Sequence, residues 1–290
     1  MIKNQYIIYL FIVTLLFSSC GDSVQEIEWE TGDPEITLNV EGFISTDFVH
    51  QKVMLKSTQD YFYNQPLPRV RNAQVRVTDG ENEYTYYESG DVEGLYVSGD
   101  AFSGETEKSY TLIVDLETPL GGKSHFEAET FIYKNFDIQS IFASYIVYPL
   151  FPDSDSTLVL IGITTNDPYP QEDNYYYYKI YKGDSLVTDT INKYEIFSDE
   201  YQEDSNQHEY YTTRWYDFEV GDTIMLEVFS ISKRYYRFLD GLFNIMYPSD
   251  PLGFSGAPAR VDGNINDGEG FGYFYGTEIK RVKVVVDNNF

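Results

Sequence analysis

The 290-residue sequence has one cysteine, three histidines, and only 20 basic residues against 47 acidic ones. A single cysteine excludes an intrachain disulfide. The histidines, His50, His125 and His208, are far apart and lack the short spacing of zinc ligands. A formal net charge of -27 repels nucleic acid and anionic membrane surfaces, so we exclude nucleic-acid binding as a function.

Motifs of catalysis are also missing. No serine lies in a Gly-x-Ser-x-Gly elbow, and the lone Cys20 follows an apolar segment where another role fits it better. A pair of carboxylates for glycoside hydrolysis cannot be singled out, because 47 acidic residues always place some pair close together. We therefore predict no catalytic site and keep a carboxylate-based glycan hydrolase as the least favoured alternative.

The N-terminus has the three parts of an export signal. Lys3 is followed by an apolar segment at 7–17 and by two serines before Cys20. The segment is shorter than the roughly 20 apolar residues that span a bilayer. The sequence LLFSSCGD resembles the bacterial lipobox, in which the cysteine is lipidated and becomes the new N-terminus. We predict a signal peptide at 1–19, a lipid anchor on Cys20 and a tether at 20–33; the alternative is an ordinary secretory signal in which Cys20 is incidental.

Aromatic residues are abundant, with 28 tyrosines and 20 phenylalanines, and they favour half-buried strands. The sequence alternates between apolar and polar residues from residue 36 onward, as at Ile36, Leu38 and Val40. We predict a mainly β protein with two β-sandwich domains in tandem, at 34–134 and 135–290, the second with one amphipathic helix near 232–246. The predicted strands lie at 36–41, 51–57, 70–78, 83–88, 95–98, 109–116, 125–133, 137–145, 157–165, 175–182, 185–190, 209–218, 223–230 and 277–286.

A loop near the C-terminus has oxygen-bearing side chains at Asp262, Asn264 and Asp267. An EF-hand requires glycine at its sixth position and an acid at its twelfth, where this chain has Asp267 and Tyr273, so the loop is not an EF-hand. We expect a tight turn and then a glycine-spaced strand with its aromatic side chains on one face. The alternative is a weak cation site, and calcium is the only cofactor that the sequence suggests.

Two aromatic runs are candidate ligand or partner surfaces. One is the tetrad of tyrosines at 175–178, and the other is the strand that carries Phe271 and Tyr273. Exposed rings can stack on sugars, but alternation turns half of each run inward. We therefore favour a place in the core or on a half-buried strand for Tyr175, Tyr177, Phe271 and Tyr273, with a ligand or partner contact as the alternative. The acidic stretch at 199–204 predicts an exposed loop.

Part of the N-terminal half resembles the prealbumin-like sandwich of carboxypeptidase regulatory-like domains. The resemblance lies in the strand at 70–80 with its Asp-Gly turn, in Gly94-Leu95-Tyr96 and in Tyr110-Thr111-Leu112. Ala73, Val75 and Val77 would form its core face, and Gly94 would allow a close approach before a strand. Such modules serve as spacers or binding platforms.

Several motifs together resemble one family. They are the lipobox, the strand at 39–44, Asn72-Ala73-x-Val75, and the closing Asn264-Ile265-x-x-Gly268-x-Gly270-x-Gly272-x-Phe274. The family is that of Bacteroidota lipoproteins classed as domain of unknown function (DUF) 4249. The resemblance implies an outer-membrane lipoprotein encoded near TonB-dependent transporters of the SusC-like kind, and it brings no catalytic residues.

The acidic residues after Cys20 resemble the signals that send such lipoproteins to the cell surface. We therefore expect a non-enzymatic lipoprotein on the outer membrane, exposed at the surface, that serves a TonB-dependent transporter as an accessory or ligand-binding partner. The alternative is a structural or adhesive surface lipoprotein whose sandwiches act as spacers.

Overall fold

The described part of the chain is mainly β. The computed structural model describes residues 36–59, 65–146, 158–167, 171–201, 207–212, 216–246 and 260–286. These residues form three sheets and one α-helix, so the prediction of a mainly β fold with one helix is confirmed. The predicted signal peptide, Cys20 and the tether at 20–33 lie outside the described residues.

The described residues contain 17 strands, one α-helix and two short 3₁₀ turns. The strands are β1 (Leu38–Ser45), β2 (Lys52–Ser57), β3 (Gln74–Thr78), β4 (Glu83–Glu88), β5 (Leu95–Ser98), β6 (Ser109–Leu120), β7 (Lys123–Phe131), β8 (Asp137–Ile146), β9 (Leu158–Asn166), β10 (Tyr175–Lys182), β11 (Ser185–Leu186), β12 (Glu195–Ser198), β13 (Gln207–Tyr211), β14 (Tyr216–Asp217), β15 (Thr223–Ile231), β16 (Phe271–Thr277) and β17 (Ile279–Val285). The helix α1 spans Lys233–Met246, and short 3₁₀ turns lie at Ile191–Lys193 and Ile265–Gly268.

The first sheet has eight strands in the order β16-β1-β2-β5-β4-β3-β6-β7. All its pairs are antiparallel except β1 with β16, which run parallel. The sheet curves so that its two outer strands, β16 and β7, come into contact. At this contact the Gly276 N–H of β16 donates a hydrogen bond to Thr130 Oγ1 of β7 at 2.6 Å. It encloses one apolar core that includes Val40, Leu55 and Phe274.

The other two sheets form a sandwich. One joins β11, β10, β15 and β17, with β12 also on β10, and the other joins β8, β13 and β14 to β9. Their facing sides share a second core that includes Ile161, Tyr176, Tyr178 and Leu226. This arrangement is a β-sandwich, with side chains alternating inward along each strand.

A third core lies on the opposite face of the β10–β15 sheet. Tyr177 and Phe229 pack there against Tyr235 of α1 and against Tyr275 of β16. The rings of Tyr235 and Tyr275 are stacked, with centroids 4.1 Å apart. The helix is thus wedged between the sandwich and the first sheet.

Strand β16 links the two halves of the sequence. It lies within 135–290, but it pairs along its whole length with β1, from Asn39 opposite Phe271 to Ser45 opposite Thr277. The segment Glu35–Phe290 forms one compact unit. The division into separate domains at 34–134 and 135–290 stays a prediction.

Several strand bounds differ from the predictions. The strand expected from residue 70 begins at Gln74, because Asn72 has a φ of 56° and interrupts the extended chain. The strand expected at 185–190 ends at Leu186. The strand expected at 209–218 is divided into β13 and β14, and the last one begins at Ile279 because Thr277 ends β16.

The stretch predicted as an exposed loop at 199–204 is only partly described. Asp199 is buried, and both of its carboxylate oxygens accept hydrogen bonds from Asn174. Glu200 pairs with Lys233, whereas Tyr201 is exposed. The prediction was wrong for Asp199, since an acidic residue is buried where a neighbouring amide satisfies it. No helix in the described ranges is long and apolar enough to cross a bilayer.

Candidate ligand-binding groove

A groove of about 800 Å³ runs between α1, the outer face of β1 and β16, and the β10 sheet. Its volume lies in the range of small-molecule pockets, which are mostly apolar with a few polar groups. Aromatic and aliphatic side chains form most of its wall, among them Phe43, Tyr177, Tyr194, Phe238, Leu242 and Phe271.

The walls follow from the periodicity of the elements. On β1, Val40 points into the first core, while Glu41 and Phe43 line the groove. On α1, residues three and four apart share a face, and this places Phe238 and Leu242 side by side toward the groove. Both walls are thus regular elements, which hold the groove in shape without a ligand.

Gly272 allows the wall to close. Its φ is 80°, and a Cβ atom at this position would lie 2.0 Å from the carbonyl oxygen of Val40. Only glycine adopts this backbone conformation without strain and also leaves room for the neighbouring strand. The parallel pairing of β16 with β1 at this end of the groove therefore depends on the absence of a side chain.

Lys179 is a half-buried cation on the lining of the groove. It lies on β10, on the same face as Tyr177, and its Nζ is 4.8 Å from the ring centroid of Phe229 and 5.8 Å from that of Phe43. In the described part of the chain, Nζ has no ion pair and no hydrogen bond. Burial lowers the pKa of Lys179, and the charge of Glu227 on the adjacent strand partly offsets this effect.

The acidic groups of the groove already have partners. Glu41 forms an ion pair with Lys56 at 2.6 Å, and Asp189 forms one with Lys193 at 3.0 Å. At the other end, Arg260 stacks over the ring of Phe271 at 4.1 Å and donates to the Gly270 carbonyl. The chemistry of the groove is thus aromatic and aliphatic, with Lys179 as a half-buried positive charge.

Three of the four aromatic residues proposed as ligand contacts line this groove: Tyr177, Phe271 and Tyr273. The fourth, Tyr175, lines a separate cavity of about 160 Å³, where its hydroxyl donates to Glu200 at 2.9 Å. Alternation places Tyr176 and Tyr178 in the second core instead. A ligand role for the four residues stays a prediction.

The proposed cation loop has few free oxygens. Asp262 is exposed and lies 3.5 Å from Arg260, and the side chain of Asp267 is outside the described set. The amide of Asn264 donates to the carbonyls of Glu129 and Phe274, and its oxygen accepts from the Phe274 N–H. These three hydrogen bonds give Asn264 a visible role, which is to hold β16 in place.

The histidines occupy separate places. His50 bonds the Ser98 carbonyl, His125 lies on β7 between two carboxylates, and His208 is buried on β13. Among the residues that the structure describes, no group of three or more His, Cys, Asp or Glu side chains has the geometry of a metal site.

Sequence reasoning missed Lys179, Phe43 and the groove face of α1. The sequence contained the signal for Lys179. Tyr175, Tyr177 and Lys179 occupy alternate positions of one strand, and alternate residues of a strand lie on the same face. The signal for Phe43 was absent, since nothing local indicates that β1 lies beside a strand more than 200 residues away.

Comparison with known proteins identifies the family. No curated protein matches the chain. A family model described as a domain of unknown function, DUF4249, matches residues 24–282. The match covers most of the sequence, and the chain therefore belongs to the DUF4249 family.

Proposed function

We propose that this protein is a non-enzymatic ligand-binding lipoprotein of the outer membrane, exposed at the cell surface, that serves a TonB-dependent transporter of the SusC-like kind. The observation that carries this proposal is the groove of about 800 Å³ between α1 and two sheets. An apolar groove with a few cationic side chains on its lining, Lys179 among them, suits capture of a small molecule.

The arrangement of polar groups favours binding over catalysis. The groove's acidic side chains, Glu41 and Asp189, are engaged in ion pairs with Lys56 and Lys193. A catalytic pair would need carboxylates free to exchange protons with a substrate. We therefore place the protein among binding proteins.

The membrane part of the proposal is supported by the N-terminal sequence. The LLFSSCGD motif favours acylation of Cys20, and several acyl chains on one residue anchor a protein stably. We also propose that the protein comes from the Bacteroidota and that its N-terminal sandwich is prealbumin-like. Both parts of the proposal are supported by the sequence motifs described above.

Copurification tests the function. The full chain, tagged at its C-terminus, is extracted from native outer membranes in mild detergent, and its stoichiometric partners are identified. We expect a TonB-dependent barrel. A lone lipoprotein whose deletion abolishes cell attachment and leaves nutrient uptake unchanged would overturn the proposal and favour the adhesive alternative.

A Cys20→Ala chain is the matched control for the anchor. We expect it to leave the membrane fraction and to lose incorporation of labelled fatty acid, while the groove, which lies in another part of the chain, is unaffected. Unchanged membrane association of Cys20→Ala would overturn the lipid anchor.

A further inference from the structure

We propose that the groove binds an elongated amphiphile that has a carboxylate head and an apolar body, with the head at Lys179 and the body along α1. This inference rests on the proposed ligand-binding function and names the chemical class of the ligand.

The charge of Lys179 favours an anionic head group. An ammonium removed from water is costly unless a counterion or a hydrogen-bond acceptor replaces the water. Lysines at other places in the fold have such partners: Lys56 pairs with Glu41, Lys182 with Asp222 and Lys233 with Glu200. Lys179 has only ring faces within reach in the described structure.

The charged groups near Lys179 do not supply its counterion. Glu227 is directly opposite on β15, but its two oxygens accept from Tyr181 Oη at 2.9 Å and from Arg281 Nε at 2.7 Å. Lys52 also lines the groove, but it is exposed and remains hydrated. An anion that enters the groove beside β10 therefore finds the half-buried Lys179 as its partner.

The apolar wall of the groove favours an apolar body for the ligand. Phe238, Leu239, Leu242 and Ile245 of α1 line the groove, and they face the rings of β1 and β16. Burying an alkyl or aryl chain there is favourable in proportion to its apolar area.

The same wall disfavours a sugar. A sugar has a hydroxyl on most of its carbons, and each buried hydroxyl needs a hydrogen-bond partner. The acids of the groove are already paired with lysines, so few partners remain. The lining thus favours an amphiphile with one polar end.

Calorimetry tests the inference on the full chain carrying Cys20→Ala, so that no acyl group or detergent competes for the groove. The probes are decanoate, decanol, decyltrimethylammonium and decyl phosphate, each below its micelle concentration. We expect decanoate to bind one to one, about tenfold or more tighter than decanol, because a charge-assisted hydrogen bond contributes that much. The cationic probe should not bind.

Variants locate the head group. Lys179→Met keeps the apolar stem and should reduce decanoate affinity to the level of decanol, with decanol affinity unchanged. Lys182→Met is the matched control, since it removes the next lysine of the same strand from the opposite face, and it should leave both affinities unchanged. Thermal melting confirms that both variants are folded.

Each contrary outcome has its own meaning. Equal affinities for decanoate and decanol would overturn the assignment of the head group, and tighter binding of decyl phosphate would overturn the carboxylate in favour of phosphate. Binding of oligosaccharides alone, or no binding of any probe, would overturn the inference while a copurified barrel left the accessory function standing. Decanoate binding without a barrel would support the inference and overturn the transporter partnership.

Discussion

Arg281 and Asp47, 234 positions apart in the sequence, form a bidentate ion pair. The Nη1–Oδ1 distance is 2.9 Å and the Nη2–Oδ2 distance is 2.6 Å. Asp47 lies just after β1 in the first sheet, and Arg281 lies on β17 in the sandwich. The same guanidinium donates through Nε to the buried Glu227. One arginine thus connects the two sheets that flank the groove.

Removing this arginine should destabilise the protein. In Arg281→Met, Glu227 remains buried and retains only the hydroxyl of Tyr181, so we expect a loss of about 2 kcal/mol in the free energy of unfolding. Asp47→Asn should cost less, about 1 kcal/mol, because Asp47 is closer to water. Urea denaturation measures both. A value for Arg281→Met within the error of wild type would contradict the bridging role.

Local patterns predicted the strands well but not their partners. The bounds of β10 agree with the prediction at 175–182, because alternation and tyrosine propensity act within one strand. The pairing of β1 with β16 was not predicted, since the two strands are separated by most of the chain and parallel pairing leaves no turn between them. The groove depends on that pairing, so its position could not be derived from the sequence.

The burial of polar residues also could not be predicted from the sequence. Asp199 lies in an acidic stretch that resembles a surface loop, but Asn174 satisfies its carboxylate inside the protein. The prediction failed because hydrogen bonds between distant residues decide whether a charge can be buried. Burial in turn raises the pKa of Asp199.

Gly272→Ala should be strongly destabilising. The new Cβ atom would have to displace the Val40 backbone, and the residue would also be strained at its φ of 80°. We expect a loss of about 3 kcal/mol or more. The matched control is Gly80→Ala, because Gly80 has a φ of 89° and no heavy atom within 4 Å of the new Cβ.

Gly80→Ala should cost only the conformational strain, about 1 kcal/mol. The difference between the two variants in thermal or urea unfolding measures the close approach of β16 to β1. Equal losses would mean that strand pairing tolerates a side chain at Gly272.

Two buried tyrosines should respond in opposite ways to loss of the hydroxyl. The Tyr178 hydroxyl is buried and has no hydrogen-bond partner in the described structure, whereas the Tyr216 hydroxyl donates to the buried Glu195 at 2.7 Å. Burial raises the pKa of Tyr178, so its hydroxyl stays protonated throughout the physiological range.

We expect Tyr178→Phe to be neutral or to stabilise the protein by up to about 1 kcal/mol, and Tyr216→Phe to destabilise it by about 2 kcal/mol. The substitution is chemically identical at both sites, so each variant serves as the control for the other in urea denaturation. A loss in Tyr178→Phe as large as in Tyr216→Phe would reveal a partner for the Tyr178 hydroxyl.

His125 should make stability depend on pH near neutrality. Its Nδ1 is 2.6 Å from Asp115 Oδ1, its Nε2 is 3.0 Å from Glu127 Oε1, and these two hydrogen bonds raise the pKa of His125 above its usual value of 6.5. The folded state therefore binds the imidazolium proton more tightly than the unfolded state does. The stabilisation is fully present below the unfolded pKa and is lost as the pH rises through the folded pKa.

The comparison is between wild type and His125→Gln, at about pH 6 and about pH 9. Because the imidazole is half exposed, solvent screening limits the expected difference to about 0.5 kcal/mol, and about 1 M salt should reduce it further. Subtracting the variant removes every contribution to stability that the two chains share. If the stability of wild type relative to His125→Gln rose with pH, the proton would be bound more tightly in the unfolded chain, and the two carboxylates would not act on His125 as the distances require.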